Sequence, residues 1–218
     1  MKTKNDLQQL SQQLRCPSGN EGVQVAETMS QTNIGMILSG ILYLKLRKND
    51  VVLELGHGDG SHVKKMHVFA KDIIYHGLDI SPLMVETAQK NNSQLDNTAF
   101  GIYNGEKITY DDNSFNKILT VNTLYFFNNP QKLFSEIYRV LKPLGVCVVV
   151  FADKAFMQTL PFTQFGFQLY DITNFKELVS KTGLKILDCV LKKEVVKSKM
   201  GDFVERKYYV VELIKKPI

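Results

Sequence analysis

The chain has 218 residues, 44% hydrophobic and 22% charged, with a formal net charge of +5. That supports one sizeable folded core and excludes a disordered tail or fibrous repeat. The basic residues are mostly dispersed, and no aromatic-interleaved basic motif marks a nucleic-acid module.

Leu7, Leu10 and Leu14 stand at helical spacing, which predicts a short amphipathic helix over residues 4–14. Cys16 to Asn20 reads as a turn. Two helical patterns follow, Val23 to Met29 and Ile34 to Leu44, separated by the polar run Ser30-Gln31-Thr32-Asn33. Asn33 fits an N-cap of the second. Val51-Val52-Leu53-Glu54-Leu55 is a buried-strand pattern that breaks into Gly56, Gly58 and Gly60, after which Ser61 to Phe69 continues as a helix. Ile73 to Asp79 is a second strand. Ser81 then fits an N-cap and Pro82 the first helical position. Ala99 to Tyr103 is a third strand, ended by Asn104-Gly105. Ser114 leads into a fourth strand that ends at Asn122. Asn129-Pro130 starts a helix, Lys142-Pro143-Leu144-Gly145 ends it, and Val146 to Phe151 is strand five. Residues 152–171 are rich in aromatics and read as a loop. Thr173 to Thr182 is a helix stopped by Gly183. Leu184 to Glu194 and Lys207 to Ile214 are strands joined across Lys199-Met200-Gly201-Asp202.

Cys16, Cys147 and Cys189 are odd in number and form no C-x-x-C, which predicts reduced thiols and a cytoplasmic protein. The polar start, Met1 to Asp6, lacks the apolar core of a signal peptide. The longest apolar stretch, Ile34 to Leu46, falls short of the roughly 20 residues of a membrane span. The densest basic region, Lys192, Lys193, Lys197, Lys199, Arg206, Lys207, Lys215 and Lys216, reads as a solvated hairpin face.

Strand, glycine turn, helix is the entry to a nucleotide crevice in an open α/β sheet. The spacing is G-x-G-x-G, not the G-x-G-x-x-G of dinucleotide enzymes. Glu54 in an apolar strand is costly without a partner. Asp79 is placed either to accept two ribose hydroxyls or to cap the next helix. His57 lies inside the glycine loop, facing a ligand or solvent. His62, His67 and His76 read as structural or exposed.

Through Glu54-Leu55-Gly56-His57-Gly58-Asp59-Gly60, Asp79, Asp112-Asn113-Ser114-Phe115-Asn116 and Leu141-Lys142-Pro143-Leu144-Gly145, the chain resembles the class I S-adenosylmethionine (SAM)-dependent methyltransferases as far as residue 152. Two positions depart from the family: Asn116 stands for the usual Asp, and Leu144 for the first Gly of L-K-P-G-G.

The resemblance implies a Rossmann-like α/β fold with a seven-stranded, mostly parallel sheet, helices on both faces and the last strand antiparallel. It implies one domain: residues 1–48 as a helical cap, 49–152 as the SAM-binding core, and 153–218 as an acceptor-side loop and hairpin. SAM is the implied cofactor, with no metal. Gly56, His57, Gly58 and Gly60 would wrap its methionine end, backbone N–H groups holding the carboxylate. Glu54, through water, and the Asn122 carbonyl would take the ammonium. Asp79 would hold the ribose. Ile80, Asn104 and Gly105 would hold the adenine, the Asn104 carboxamide oxygen accepting from its amine. The acceptor would be a small molecule in a pocket built by Tyr125 and Phe126, with Phe156, Phe162 and Phe165, under Asn33 and Met36 of the cap. A SAM-binding protein without catalysis, an NAD-dependent oxidoreductase and any oligomeric state stay open at this level.

Overall fold

The computed structural model describes residues 3–197 and 203–216. The turn expected at Lys199-Met200-Gly201-Asp202 lies outside them. The strands are β1 (Val51–Leu55), β2 (Ile74–Asp79), β3 (Thr98–Ile102), β4 (Phe115–Val121), β5 (Leu141–Ala152), β6 (Lys185–Lys197) and β7 (Phe203–Ile214). They form one sheet in the order β3-β2-β1-β4-β5-β7-β6. The first five are mutually parallel, and β7 runs antiparallel to both β5 and β6. The expected Rossmann-like α/β architecture is present. Val52, Leu53 and Leu55 of β1 and Val148, Val149 and Val150 of β5 are fully buried. Parallel strands covered on both faces need such continuous apolar runs, and each such side chain contributes roughly 1.5–3 kcal/mol by burial.

From β1 the chain proceeds outward to β2 and β3, then returns across β1 to β4. Connections therefore leave the carboxyl ends of β1 and β4 in opposite directions. The crevice between those ends is where an open α/β sheet takes its ligand.

The helices are α1 (Lys4–Arg15), α2 (Gly19–Leu44), α3 (Val63–Phe69), α4 (Pro82–Asn91), α5 (Pro130–Val140), α6 (Lys154–Gln158) and α7 (Ile172–Ser180). Their starts follow from local chemistry. The side chains of Ser81, Asn129 and Asp171 accept the backbone N–H groups of Met84, Lys132 and Asn174. Pro82 and Pro130 occupy the first turns, where a missing N–H is harmless.

The N-terminal segment corrects the sequence expectation. The two helical patterns form a single helix, α2, 26 residues long. Asn33 is therefore mid-helix and caps nothing. The polar run does not break the helix, because Thr28 and Thr32 return their hydroxyls to the carbonyls of Gln24 and Thr28 one turn earlier. Met36, Ile41 and Leu44 are at most 1% exposed and pack beneath β4 and β5. The sheet thus needs the C-terminal half of α2 to close its core. The part placed to cover the crevice is α1 and α2 as far as Ile37. No helix among the described residues is long and apolar enough to cross a membrane.

Both family departures are accommodated. The Asn116 side-chain oxygen accepts the Val51 N–H at 3.0 Å, so the missing charge costs no hydrogen bond. The Lys142–Gly145 turn is taken up as an irregularity within β5. Leu144 there is left-handed, with φ +63°, and its N–H donates to the Lys215 carbonyl at 2.9 Å.

Candidate active site

The glycine turn forms the floor of the crevice, but its N–H groups point inward. Gly56 N–H donates to the Leu78 carbonyl at 2.7 Å, Gly58 N–H to Asp79 Oδ2 at 3.0 Å, and Gly60 N–H to the His57 carbonyl at 3.2 Å. These three N–H groups hold the turn to β2 and to itself. What Gly58 presents to the crevice is bare backbone. Its φ is +59°, and a Cβ built on it would meet nothing within 4 Å. A Cβ at Gly56 would collide with the Thr123 methyl. Gly60 does not line the crevice; it packs against Ala88 of α4 and Asn92 just beyond it.

Glu54 lines the crevice and is 1% exposed. Its Oε2 accepts from Tyr75 Oη at 2.6 Å and lies 2.7 Å from His62 Nε2. Burial alone would raise the Glu54 carboxyl. The His62 charge and the hydrogen bonds from His62 and Tyr75 outweigh it and hold it below its ordinary value. Burial likewise works against charge on His62, yet Glu54 keeps its pKa above the ordinary value. The two form a buried ion pair. His62 is a crevice residue that motif reading passed over; the signal for it was Glu54 itself, which could not stand in an apolar strand unpartnered.

His57 is buried, not solvent-facing. Its ring packs edge-on to Phe100 with centroids 5.0 Å apart. Its Nδ1 lies 2.7 Å from the Gly58 carbonyl, which can only accept, so Nδ1 carries the proton. Nε2 has no hydrogen-bond partner among the described residues. Burial pushes the imidazole down despite nearby Asp79. His67 and His76 lie off the crevice.

Asp79 ends β2 at 6% exposure. Besides Gly58, it accepts the Ser81 N–H at 2.9 Å through Oδ1. Burial pushes its carboxyl up, against His57 and these N–H groups. Ile80 and Gly105 sit side by side on the same wall, with Tyr103 and Asn104. The Asn104 oxygen accepts the Glu106 and Lys107 N–H groups at 3.0 and 2.9 Å. The turn thus occupies the oxygen expected to face adenine, leaving the NH2 as the less committed end. Asn122 lines the crevice at the end of β4 in a left-handed conformation, φ +58°.

The cap completes the crevice with Leu14, Arg15, Pro17, Met29, Asn33 and Ile37. It is tied down by Ser81 Oγ donating to the Pro17 carbonyl at 2.6 Å and by Arg15 Nη2 donating to Asn128 Oδ1 at 2.7 Å. Arg15 is the only lysine or arginine lining the crevice among the described residues. Met36, expected to face inward with Asn33, is core instead.

A second cavity adjoins the first and is lined by Tyr125, Phe126, Phe156 and Phe162. Phe165 is not part of it; its carbonyl accepts from Ser11 of α1. Arg206 and Lys197 reach this chamber from the distal hairpin. The expected solvated basic face fails at Arg206 and Lys215, which are 6% and 8% exposed.

A glycine-turn crevice at the switch point of this sheet, backed by Glu54 and Asp79, defines a nucleotide-type donor site under a helical cap. Residues 53–149 match the family model described as a methyltransferase domain. Those residues carry a methyltransferase domain of the kind that uses SAM. It is 33% identical over 158 residues to the ubiquinone/menaquinone biosynthesis C-methyltransferase UbiE of Hydrogenovibrio crunogenus, covering 69% of this chain and 56% of that one. It is 29% identical over 123 residues to the malonyl-[acyl-carrier protein] O-methyltransferase of a Marinomonas species, covering 56% and 46%. The chain thus spans about half the length of these curated relatives. Among solved structures, a SAM-dependent methyltransferase from Aquifex aeolicus superposes with TM-score 0.65 at 18% identity, covering 95% of this chain and 98% of that one. Phosphoethanolamine N-methyltransferase 2 of Haemonchus contortus, bound to S-adenosylhomocysteine, gives TM-score 0.71 at 13% identity, covering 95% and 61%. At these identities the structures establish the shared fold.

Proposed function

We propose that the chain transfers the methyl group of SAM to a small organic acceptor held in the adjoining chamber. The observation that carries this is the junction of the two cavities. The donor crevice and the chamber share Leu14, Met29, Asn33, Asn122 and Phe126 at their boundary. Two reactants held on either side of such a boundary meet in line, which is most of what methyl transfer asks of a protein.

The crevice residues fit SAM. The empty space above Gly58 lets a ligand lie against the backbone. Asp79 is held by the loop N–H groups through both oxygens and presents the remaining carboxylate acceptor capacity to the ribose hydroxyls. Ile80, Gly105 and Tyr103 give the base an apolar wall, and Asn104 offers its NH2. Arg15 is the cation for the carboxylate, in place of the glycine N–H groups. Glu54 and the Asn122 carbonyl face the ammonium. SAM supplies an electrophilic methyl group on a sulfonium. The chain orients the acceptor and, with α1 and α2 as far as Ile37, keeps water out.

Isothermal titration with SAM and with NAD tests the donor, and release of S-adenosylhomocysteine over an acceptor panel tests the transfer. SAM binding with turnover is the expected result. Preference for NAD, or SAM binding with no turnover across the panel, would count against the reading. The similar proteins' names cover C-, O- and N-methyl acceptors, so the acceptor class has to come from this chain's own chamber.

A further inference from the structure

The chamber's chemistry is one-sided. Phe126, Phe156, Phe162, Phe167, Met157 and Leu160 make much of its wall. Among the described residues no aspartate, glutamate or histidine lines it. Its charged groups are both cations, and Asn33 adds two amide donors. Asn33 Oδ1 accepts from Arg206 Nη1 at 2.9 Å, which orients its NH2 as a donor.

Arg206 is held by Glu194 Oε1 through Nε at 3.1 Å and Nη2 at 2.8 Å, and by the Thr32 carbonyl through Nη2 at 2.6 Å. A guanidinium carries five N–H donors. One bond from Nε, two from Nη2 and one from Nη1 leave a single N–H, on Nη1, uncommitted. The contact that seats Glu194 is close: a Cβ at Gly35 of α2 would collide with its carboxylate. Lys197 adds an ammonium with donors only. The Tyr125 hydroxyl is engaged by Asn122 and by the backbone of Ala152.

Resting on the methyl-transfer reading, we propose that the acceptor is an apolar molecule bearing an anionic oxygen, a phenolate or enolate, and not an amine. An ammonium in this chamber would meet donors and cations, with no lining carboxylate to balance it. It would also have to lose a proton before reacting, and the chamber lines up no base to take it. An oxyanion is met by Asn33, Arg206 and Lys197 and is already nucleophilic. Its electron pair, on the oxygen or on a carbon conjugated with it, forms the bond to the methyl carbon. The carbon–sulfur bond breaks and its pair goes to sulfur. Sulfonium and anion become a thioether and a neutral product, so the step itself needs no proton transfer.

The test uses the full chain saturated with S-adenosylhomocysteine and three matched probes. These are a hexyl-substituted tetrafluorophenol, ionised at neutral pH, a hexylbenzylamine, cationic at neutral pH, and hexylbenzene. The phenolate is expected to bind about tenfold or more tighter than the amine by titration calorimetry. Asn33→Leu should erase most of that preference while leaving hexylbenzene binding unchanged. Arg206→Lys, which keeps the charge but loses the fork of donors, should weaken the phenolate as well. With methyl-labelled SAM, label should enter the phenol, on its oxygen, and not the amine. The proposal is overturned by an amine that binds as tightly as the phenolate. It is equally overturned if the Asn33→Leu protein binds the phenolate unchanged, or if none of the three probes binds while S-adenosylhomocysteine does. Failure to bind SAM or S-adenosylhomocysteine at all would instead bring down the methyl-transfer reading beneath it.

Discussion

Replacing Asp79 with Asn separates its two tasks, holding the glycine loop and holding a ligand. In the folded chain Oδ1 accepts the Ser81 N–H at 2.9 Å and Oδ2 the Gly58 N–H at 3.0 Å. An amide has one oxygen, so one of these donors would face an NH2 group. A hydrogen bond to a charged group contributes about 1.5–3 kcal/mol. Part of that loss is offset, because burial already disfavours the Asp79 charge and a neutral amide is cheaper to bury. A net destabilisation of about 1–2 kcal/mol follows, measurable by urea unfolding. For SAM, two ribose hydroxyls lose a charged acceptor. The same 1.5–3 kcal/mol weakens binding by about 10- to 150-fold, measurable by titration calorimetry. Asp79→Ala removes both loop contacts at once, so weaker binding by that variant discriminates less. An Asp79→Asn protein that loses stability but binds SAM with wild-type affinity would falsify the ribose role, leaving the carboxylate as a loop fastener only.

Gly58→Val should abolish SAM binding, since it places a β-branched side chain at φ +59° in the empty space of the crevice; undiminished titration would make the loop a structural turn only. Arg15→Met should weaken SAM roughly three- to fivefold, because an exposed ion pair contributes at most about 1 kcal/mol; unchanged affinity would remove Arg15 from the carboxylate site. His62→Phe leaves Glu54 buried with Tyr75 and should cost about 3–5 kcal/mol in the pH window where both partners are charged. In the native protein Glu54 is held below its ordinary 4.5 and His62 above its ordinary 6.5. The pair's stabilisation is therefore complete between those values. It falls as pH drops through the lowered Glu54 pKa and as pH rises through the raised His62 pKa. Unfolding of native and His62→Phe proteins across pH should show their difference shrinking at both ends, and a flat difference would refute the pairing. Leu144→Gly should stabilise by about 0.5–1 kcal/mol, because a left-handed L-residue costs roughly 1–2 kcal/mol and the flexibility of glycine returns part of it. At φ +63° and 65% exposure Leu144 has little burial to lose; a lower urea midpoint would refute this account.

Local chemistry alone determined the strand–glycine–helix start, the Ser81 and Asn129 caps and the positions of all seven strands. Period-two and continuous apolar runs, turn glycines and cap hydroxyls act within a few residues of one another. Asp79 was legible as a strand-end carboxylate, while Ile80, Gly105 and Asn122 came from the family resemblance; all four line the crevice because a parallel sheet brings strand ends to one edge. Tertiary structure decided what each polar atom touches. The Gly56 and Gly58 N–H groups turned inward because β2 passes close enough to accept them, and that of Gly60 closed on the loop's own His57 carbonyl. The Asn104 oxygen went to its own turn. The α2 helix stayed unbroken through its polar run while its C-terminal half packed beneath the sheet. His62 found Glu54 eight residues away across a turn, and Arg206 found Asn33 at a separation of 173. No periodicity spans that distance. A polar contact of that kind is set by how the hairpin lies against the helix, and that placement comes from burying both in one core.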